Sequence, residues 1–172
     1  MKKLPILVVL TLCTITSFAQ EVIDEANVTF TLPQKWTLQQ KAGSFSEGLV
    51  QYFYQREPVL TSEGTEAYPA AIFILDKANG RSLNDYASKD VQEEKNGRLS
   101  SGQFEPIQKV SIDGIDARVA NVKLDNSGYR LQMSIYYFVN NDVMVKLILN
   151  TVRDPNPSIA ELESIIKSMK KK

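Results

Sequence analysis

Apolar and polar residues alternate with a period of two over several stretches of the chain. In NVTFTL, Val28, Phe30 and Leu32 fall on one side and Asn27, Thr29 and Thr31 on the other, which predicts a strand closed by Pro33. LVQYFYQ, from Leu49 to Gln55, is rich in aromatic and β-branched residues and predicts a second strand. AAIFIL, from Ala70 to Leu75, is a short continuous apolar run, the pattern of a strand buried on both faces. Between these two lies VLTSEGTEAYP, a polar span of turn and loop composition. Four more strand-like stretches form a meander in the second half. Pro106 to Ile112 ends in Asp113-Gly114, a dipeptide suited to a two-residue hairpin because both positions tolerate positive φ. Ile115 to Leu124 runs into a second turn, Asp125-Asn126-Ser127-Gly128. Tyr129 to Val139 carries the cleanest alternation, with Leu131, Met133, Ile135, Tyr137 and Val139 on one face. Asn140-Asn141-Asp142 then turns the chain into Val143 to Thr151, with Val143, Val145, Leu147 and Leu149 in step.

Two segments switch to helical spacing. Ser82 with Asp85 is an N-cap with an acid in the first turn, and Gly97 stands where a helix would stop. Leu83, Tyr86, Ala87 and Val91 share one face, which predicts an amphipathic helix over 83–95. At the C-terminus, Pro155 and Pro157 end the last strand and Ser158 to Glu161 reads as a capping box. Ile159, Leu162, Ile165, Ile166 and Met169 make an apolar stripe, and Lys170 to Lys172 suit the negative end of the helix dipole. Such a stripe needs a sheet face to cover. Strands with apolar faces, tight turns and a closing amphipathic helix predict an α+β layered sandwich on a mainly antiparallel sheet.

The first twenty residues stand apart from this pattern. Lys2 and Lys3, the apolar run Leu4 to Leu12 and the small-x-small Ser17-Phe18-Ala19 predict a signal peptide over 1–19, cut between Ala19 and Gln20. The apolar run is about ten residues, short of the roughly 20 that a spanning helix needs. The one cysteine, Cys13, lies inside that run and follows Leu12, where lipoprotein processing needs a small residue. The expectation is therefore an exported protein that is not a lipoprotein, has no thiol once processed and is not inserted in the membrane. Residues 20–27 read as an N-terminal arm and 28–170 as one domain. With 43% hydrophobic and 23% charged residues, and 20 acids against 20 bases, the chain is ordinary globular material. It offers no basic field for nucleic acid or an anionic membrane.

The chain contains no histidine. Without His and a processed-chain Cys, the commonest general bases, nucleophile partners and transition-metal ligands are missing, so no cofactor or metal is expected. No G-x-S-x-G occurs, and AGSFSEG lacks the lysine of a phosphate loop. Asp113 to Asp116 and Asp125 to Gly128 carry oxygen ligands but fit hairpin turns better than a calcium loop. The aromatic triplets Tyr52-Phe53-Tyr54 and Tyr136-Tyr137-Phe138 read as packing on both faces of the sheet. Tyr68, alone in a hydrophilic span, is the candidate binding residue. Trp36, the chain's only tryptophan, is expected to be a buried plug.

The order of these landmarks resembles the PsbP-like and DcrB-like domains. Phe30, Leu32, Pro33 and Trp36 match their opening F-x-L-P-x-x-W. The helix after a buried strand, the hairpin I-D-G-I-D-A-R from Ile112 to Arg118, and Y-Y-F-V-N-N-D from Tyr136 to Asp142 follow in the same order. The resemblance spans Val28 to Met169 and rests on fold landmarks. It implies a three-layer α/β/α sandwich and a family of binding or assembly proteins, with no shared functional residues to transfer. The reading is an exported, non-enzymatic binding or accessory protein, periplasmic or secreted, whose partner is another envelope protein. A small hydrolase or lyase using carboxylate, Lys or Tyr groups, and a carrier of a small apolar ligand or lipid, stay open as other classes.

Overall fold

A computed structural model describes residues 21–25, 28–61, 64–126, 129–152 and 157–171. In chain order the elements are β1 (Glu21–Glu25), β2 (Val28–Leu32), β3 (Trp36–Ser44), a 3-10 turn (Phe45–Glu47), β4 (Leu49–Arg56), β5 (Val59–Leu60), β6 (Glu66–Ala67), β7 (Ala70–Lys77) and α1 (Leu83–Asn96). They continue with β8 (Gln103–Phe104), β9 (Gln108–Ile112), β10 (Ile115–Asn126), β11 (Tyr129–Asn140), β12 (Val143–Val152), α2 (Pro157–Lys167) and β13 (Lys170–Lys171). An eight-stranded antiparallel sheet runs β3-β4-β7-β12-β11-β10-β8, with β9 also on β10. A second, small sheet has the order β1-β2-β13, and β5 and β6 form a separate hairpin. This is the α+β sandwich with a C-terminal helix that the alternation predicts.

Strand parity decides which side chain goes into which layer. In β11 the pairing Tyr136↔Leu147 and Ile135↔Ile148 sends neighbours to opposite faces. One face carries Tyr52, Tyr54, Phe73, Phe138, Val145 and Leu147, covered by Val28, Phe30 and Leu32 of β2 and by Leu162, Ile165 and Ile166 of α2. The other face carries Ala120, Val122, Ile135, Tyr137 and Ile148, packed against Ala87 and Val91 of α1. The two stripes read from β11 and β12 therefore serve different layers, Met133, Ile135 and Tyr137 under α1 and Val143 to Leu149 on the face of α2. Phe30 meets Phe73 edge-on at 4.8 Å, tying the small sheet to the large one.

The turns follow their residues. Ile112 pairs with Ile115 across Asp113 and Gly114, whose φ of 49° and 78° are those of a type I′ turn. Ser82 caps α1 by accepting from the Asp85 amide, and the Gly97 amide reaches the Glu94 carbonyl at the other end.

Four features depart from the sequence reading. Trp36 begins a nine-residue strand, β3, whose other residues are mostly exposed and so show no alternation of apolar residues. The polar span holds the β5–β6 hairpin. The helix α2 stops at Lys167, and Lys170 and Lys171 pair with Thr29 and Val28 rather than extending the helix over the dipole. The helix begins at Pro157, which suits its first position, and the Glu161 carboxylate bonds Arg56 and Trp36. The Ser158 half of the expected capping box lies outside the described side chains. Residues 21–25 of the N-terminal arm form β1, paired with β2.

Candidate functional site

The placement of α2 creates the site, and three contacts hold it. Pro33 ends β2, Gln34 and Lys35 turn the chain (Lys35 at φ 76°), and Trp36 enters β3 with its ring buried. The indole Nε1 donates to Glu161 Oε2 at 3.0 Å. Arg56, opposite Trp36 on β4, donates to the same carboxylate from Nε (2.6 Å) and Nη2 (2.8 Å), a two-pronged pair on a buried guanidinium. Burial pushes the Glu161 carboxyl up, but the bonds from Arg56 and Trp36 and the nearby positive charges outweigh it and hold it below its usual range. Further along, the Thr31 amide donates to the Ser168 hydroxyl at 2.9 Å, and Met169 is fully buried.

With α2 fixed there, it packs beside β2 and on β12, and the same face of β9, β10 and β11 is only partly filled along its flank. A groove of about 680 Å³ runs there, floored by Val110, Ile112, Val119, Asn121 and Tyr136 and walled by Ile166. Past Asn121 and Tyr136 it meets a second space of about 280 Å³, lined by Gln132, Ser134, Thr151 and Leu162. An exposed ion pair, Lys167 to Glu163 at 3.6 Å, stands on the helix above both.

The floor is amphipathic by register. Along β11, Gln132, Ser134, Tyr136 and Phe138 share this face, so polarity gives way to aromatic surface toward the core. Asn121 is held in place, accepting from the Ser134 hydroxyl at 2.8 Å and donating to Glu105 at 3.2 Å. Glu105 in turn takes the Lys123 ammonium at 2.9 Å. Burial, and then the charge of Glu163, push the Tyr136 phenol up, so it remains a hydroxyl donor at any ordinary pH. The groove can offer neutral hydrogen-bonding groups beside apolar surface. Among the described residues no three His, Cys, Asp or Glu side chains gather in a way that could hold a metal ion.

On the opposite face lies a buried charge cluster that sequence reading missed. Lys146 of β12 reaches Asp90 at 2.7 Å and Glu94 at 3.0 Å on α1. The Tyr137 hydroxyl donates to Asp90 at 2.7 Å, and Arg98 closes on Glu94 from Nε at 2.8 Å. The Arg98 bonds, helped by Lys146, hold the Glu94 carboxyl down at about 2 despite burial. Burial pushes the Tyr137 phenol far up. Every charge has a partner, so the cluster fastens α1 to the sheet. Among the described residues, the carboxyls whose pKa clearly moves, Glu94, Glu105, Asp116 and Glu161, all move down, the opposite of a general acid kept protonated.

Neither a family sequence profile nor a curated protein matches the chain. Solved structures do. The Saccharomyces cerevisiae Ran-binding protein Mog1p superposes with a TM-score of 0.54 at 10% identity, over 88% of this chain and 95% of that one. LpqN of Mycobacterium tuberculosis, involved in cell envelope biogenesis, gives 0.50 at 11% identity over 88% and 89%. A Bacteroides thetaiotaomicron protein gives 0.51 at 12% identity over 85% of this chain, which spans 45% of that one. The chain shares its fold with these proteins. Likeness at this identity carries the fold and no residue roles.

The residues singled out from sequence fall in different places. Trp36 is the buried plug it was expected to be, and part of the α2 latch. Tyr68 is exposed at the end of the β5–β6 hairpin, away from the groove, with its hydroxyl donating to Glu66 at 2.9 Å. Asp113 lines the groove from its turn, while the Asp116 carboxylate is taken by buried Arg118 at 3.0 Å. Ser127 and Gly128 of the second turn, and Ala19 and Gln20, lie outside the described residues. The groove itself left one trace in the sequence, the polar positions Asn121, Gln132 and Ser134 on a parity that is apolar in the neighbouring strands.

Proposed function

We propose that the chain is an exported, non-enzymatic binding or accessory protein of the PsbP-like/DcrB-like kind, working through protein contacts in the cell envelope. Its domain is 28–170, released by cleavage between Ala19 and Gln20. The observation that carries this reading is the groove over β9–β11 beside α2, amphipathic and bordered by hydrogen-bonded side chains. A groove that sets hydrogen-bonding side chains beside apolar surface suits a segment of a protein partner. The fold's presence in a Ran-binding protein and in a protein of envelope biogenesis supports it by analogy. Among the described residues no helix is long and apolar enough to cross a membrane, which is compatible with export.

The test is site-specific photo-crosslinking in the native envelope from Gln132, on the groove floor, and from Lys89, on the outer surface of α1. One discrete protein adduct from Gln132, absent from Lys89 and lost when Val110→Arg places a charge in the groove, is the expected result. No adduct, or equal adducts from both positions, sinks the proposal. A second reading, a carrier of a small apolar ligand, is favoured by the groove volume, which falls within the roughly 300–1,000 Å³ of small-molecule sites. Native mass spectrometry of protein taken from the envelope decides it: a co-purified lipid supports the carrier, and bare protein rejects it. Intact mass beginning at Gln20 without acyl chains checks the export reading.

A further inference from the structure

Asn121 and Tyr136 stand where the two parts of the groove meet, and both line each part. The Asn121 carboxamide has two N–H donors and two acceptor lone pairs. One donor goes to Glu105 Oε2 at 3.2 Å, and one lone pair accepts from the Ser134 hydroxyl at 2.8 Å. A carboxylate can only accept, so the amide nitrogen has to face Glu105 and the oxygen Ser134. Lys123, at 2.9 Å from Glu105 Oε1, holds that carboxyl below its usual range and keeps it an acceptor. Among the described residues nothing takes the remaining N–H and lone pair. The half-buried side chain therefore offers one donor and one acceptor to the groove in a set orientation.

A fixed, neutral donor–acceptor pair complements a group that is itself neutral and carries both. A protein segment repeats such a group at every residue, the peptide unit. In a helix those units bond to one another, so a segment that offers one is not helical. Charged side chains suit this place poorly. Lys123 and Glu105 already pair with each other, Lys167 pairs with Glu163 on the helix, and Asp113 stands in the turn beyond Ile112. A charge brought against Asn121 and Val119 would lose water and find only neutral groups. Apolar side chains find Val110, Val119 and Ile166 in the same groove.

The geometry points to Asn121 as the residue that reads the partner's main chain. Its free N–H and oxygen pair with one peptide unit of a non-helical, uncharged segment whose apolar side chains seat on Val110, Val119 and Ile166. Ser134 and Glu105 are the residues that position it. This deepens the reading of the groove as a protein-binding site and rests on it. The probe is a synthetic peptide of the segment crosslinked from Gln132, with each peptide nitrogen methylated in turn. It is titrated by calorimetry into the wild-type protein and into Asn121→Ala. The expected result is one position where methylation weakens wild-type binding about tenfold, with no added loss from that methyl group in Asn121→Ala. The methyl effect is compared within each protein, so a less stable variant does not imitate it. Glu105→Gln, at a residue that does not line the groove, lets the amide turn over and is expected to weaken binding by less than Asn121→Ala. Methylation tolerated at every position, an equal methyl cost in both proteins, charged residues flanking the sensitive position, or a peptide that does not bind overturns the proposal while the crosslink stands. Absence of the crosslink overturns the groove reading and this proposal together.

Discussion

Trp36 meets β4 and α2 at once, because its ring is buried at the start of β3 while its nitrogen reaches Glu161 on the helix. Truncation therefore removes packing and a charge-assisted hydrogen bond together. Trp36→Ala is expected to cost about 3–5 kcal/mol in denaturant unfolding. Trp36→Phe keeps most of the ring and loses the bond, and about 1–2 kcal/mol is expected there. The motif F-x-L-P-x-x-W made burial legible. Glu161 was not legible as its partner, since 125 residues separate the two and an acid four places into a helix reads locally as a cap.

The strand β3 and the helix α1 show how an element can depend on one non-repeating contact. Gly43 has φ 75°, and a Cβ there would run into the Leu49 carbonyl oxygen across the turn to β4. Gly43→Ala is expected to cost about 1–2 kcal/mol, read from the same unfolding curves. For α1 the contact is electrostatic. Glu94 sits at about 2 in the folded protein against 4.5 for the free side chain, so the unfolded chain binds its proton first as pH falls. Its stabilisation is complete above about pH 4.5 and is lost progressively toward pH 2. Thermal melts across that interval are expected to fall more steeply for the wild type than for Glu94→Gln. The helix boundaries were plain from Ser82 and Gly97, yet Lys146, a single charge in a run of apolar residues, carries no local sign of its partners. Only pairing β12 between β7 and β11 puts it beneath Asp90 and Glu94.

The molecule as a whole is lopsided, and its groove follows from that. One face of the large sheet carries two covering elements, β2 and α2, that fill it only partly over β9–β11. Val110→Arg changes a half-buried groove residue without opening the core, so stability is expected to shift by no more than about 1 kcal/mol while partner crosslinking disappears. A large loss of stability from that substitution would mean the strip is packing surface.

Alternation and capping by themselves determined most strand and helix positions, the antiparallel meander and the two-sided use of the aromatic triplets. Those are consequences of local backbone geometry, where period two and period 3.6 leave direct marks. Four things had to wait for the tertiary structure: the exposed edge strand β3, the two-rung hairpin, the pairing of Lys170 and Lys171 with β2, and the groove. Each depends on residues far apart in the chain meeting across a layer, and an exposed or polar position carries no periodic signal of what it meets.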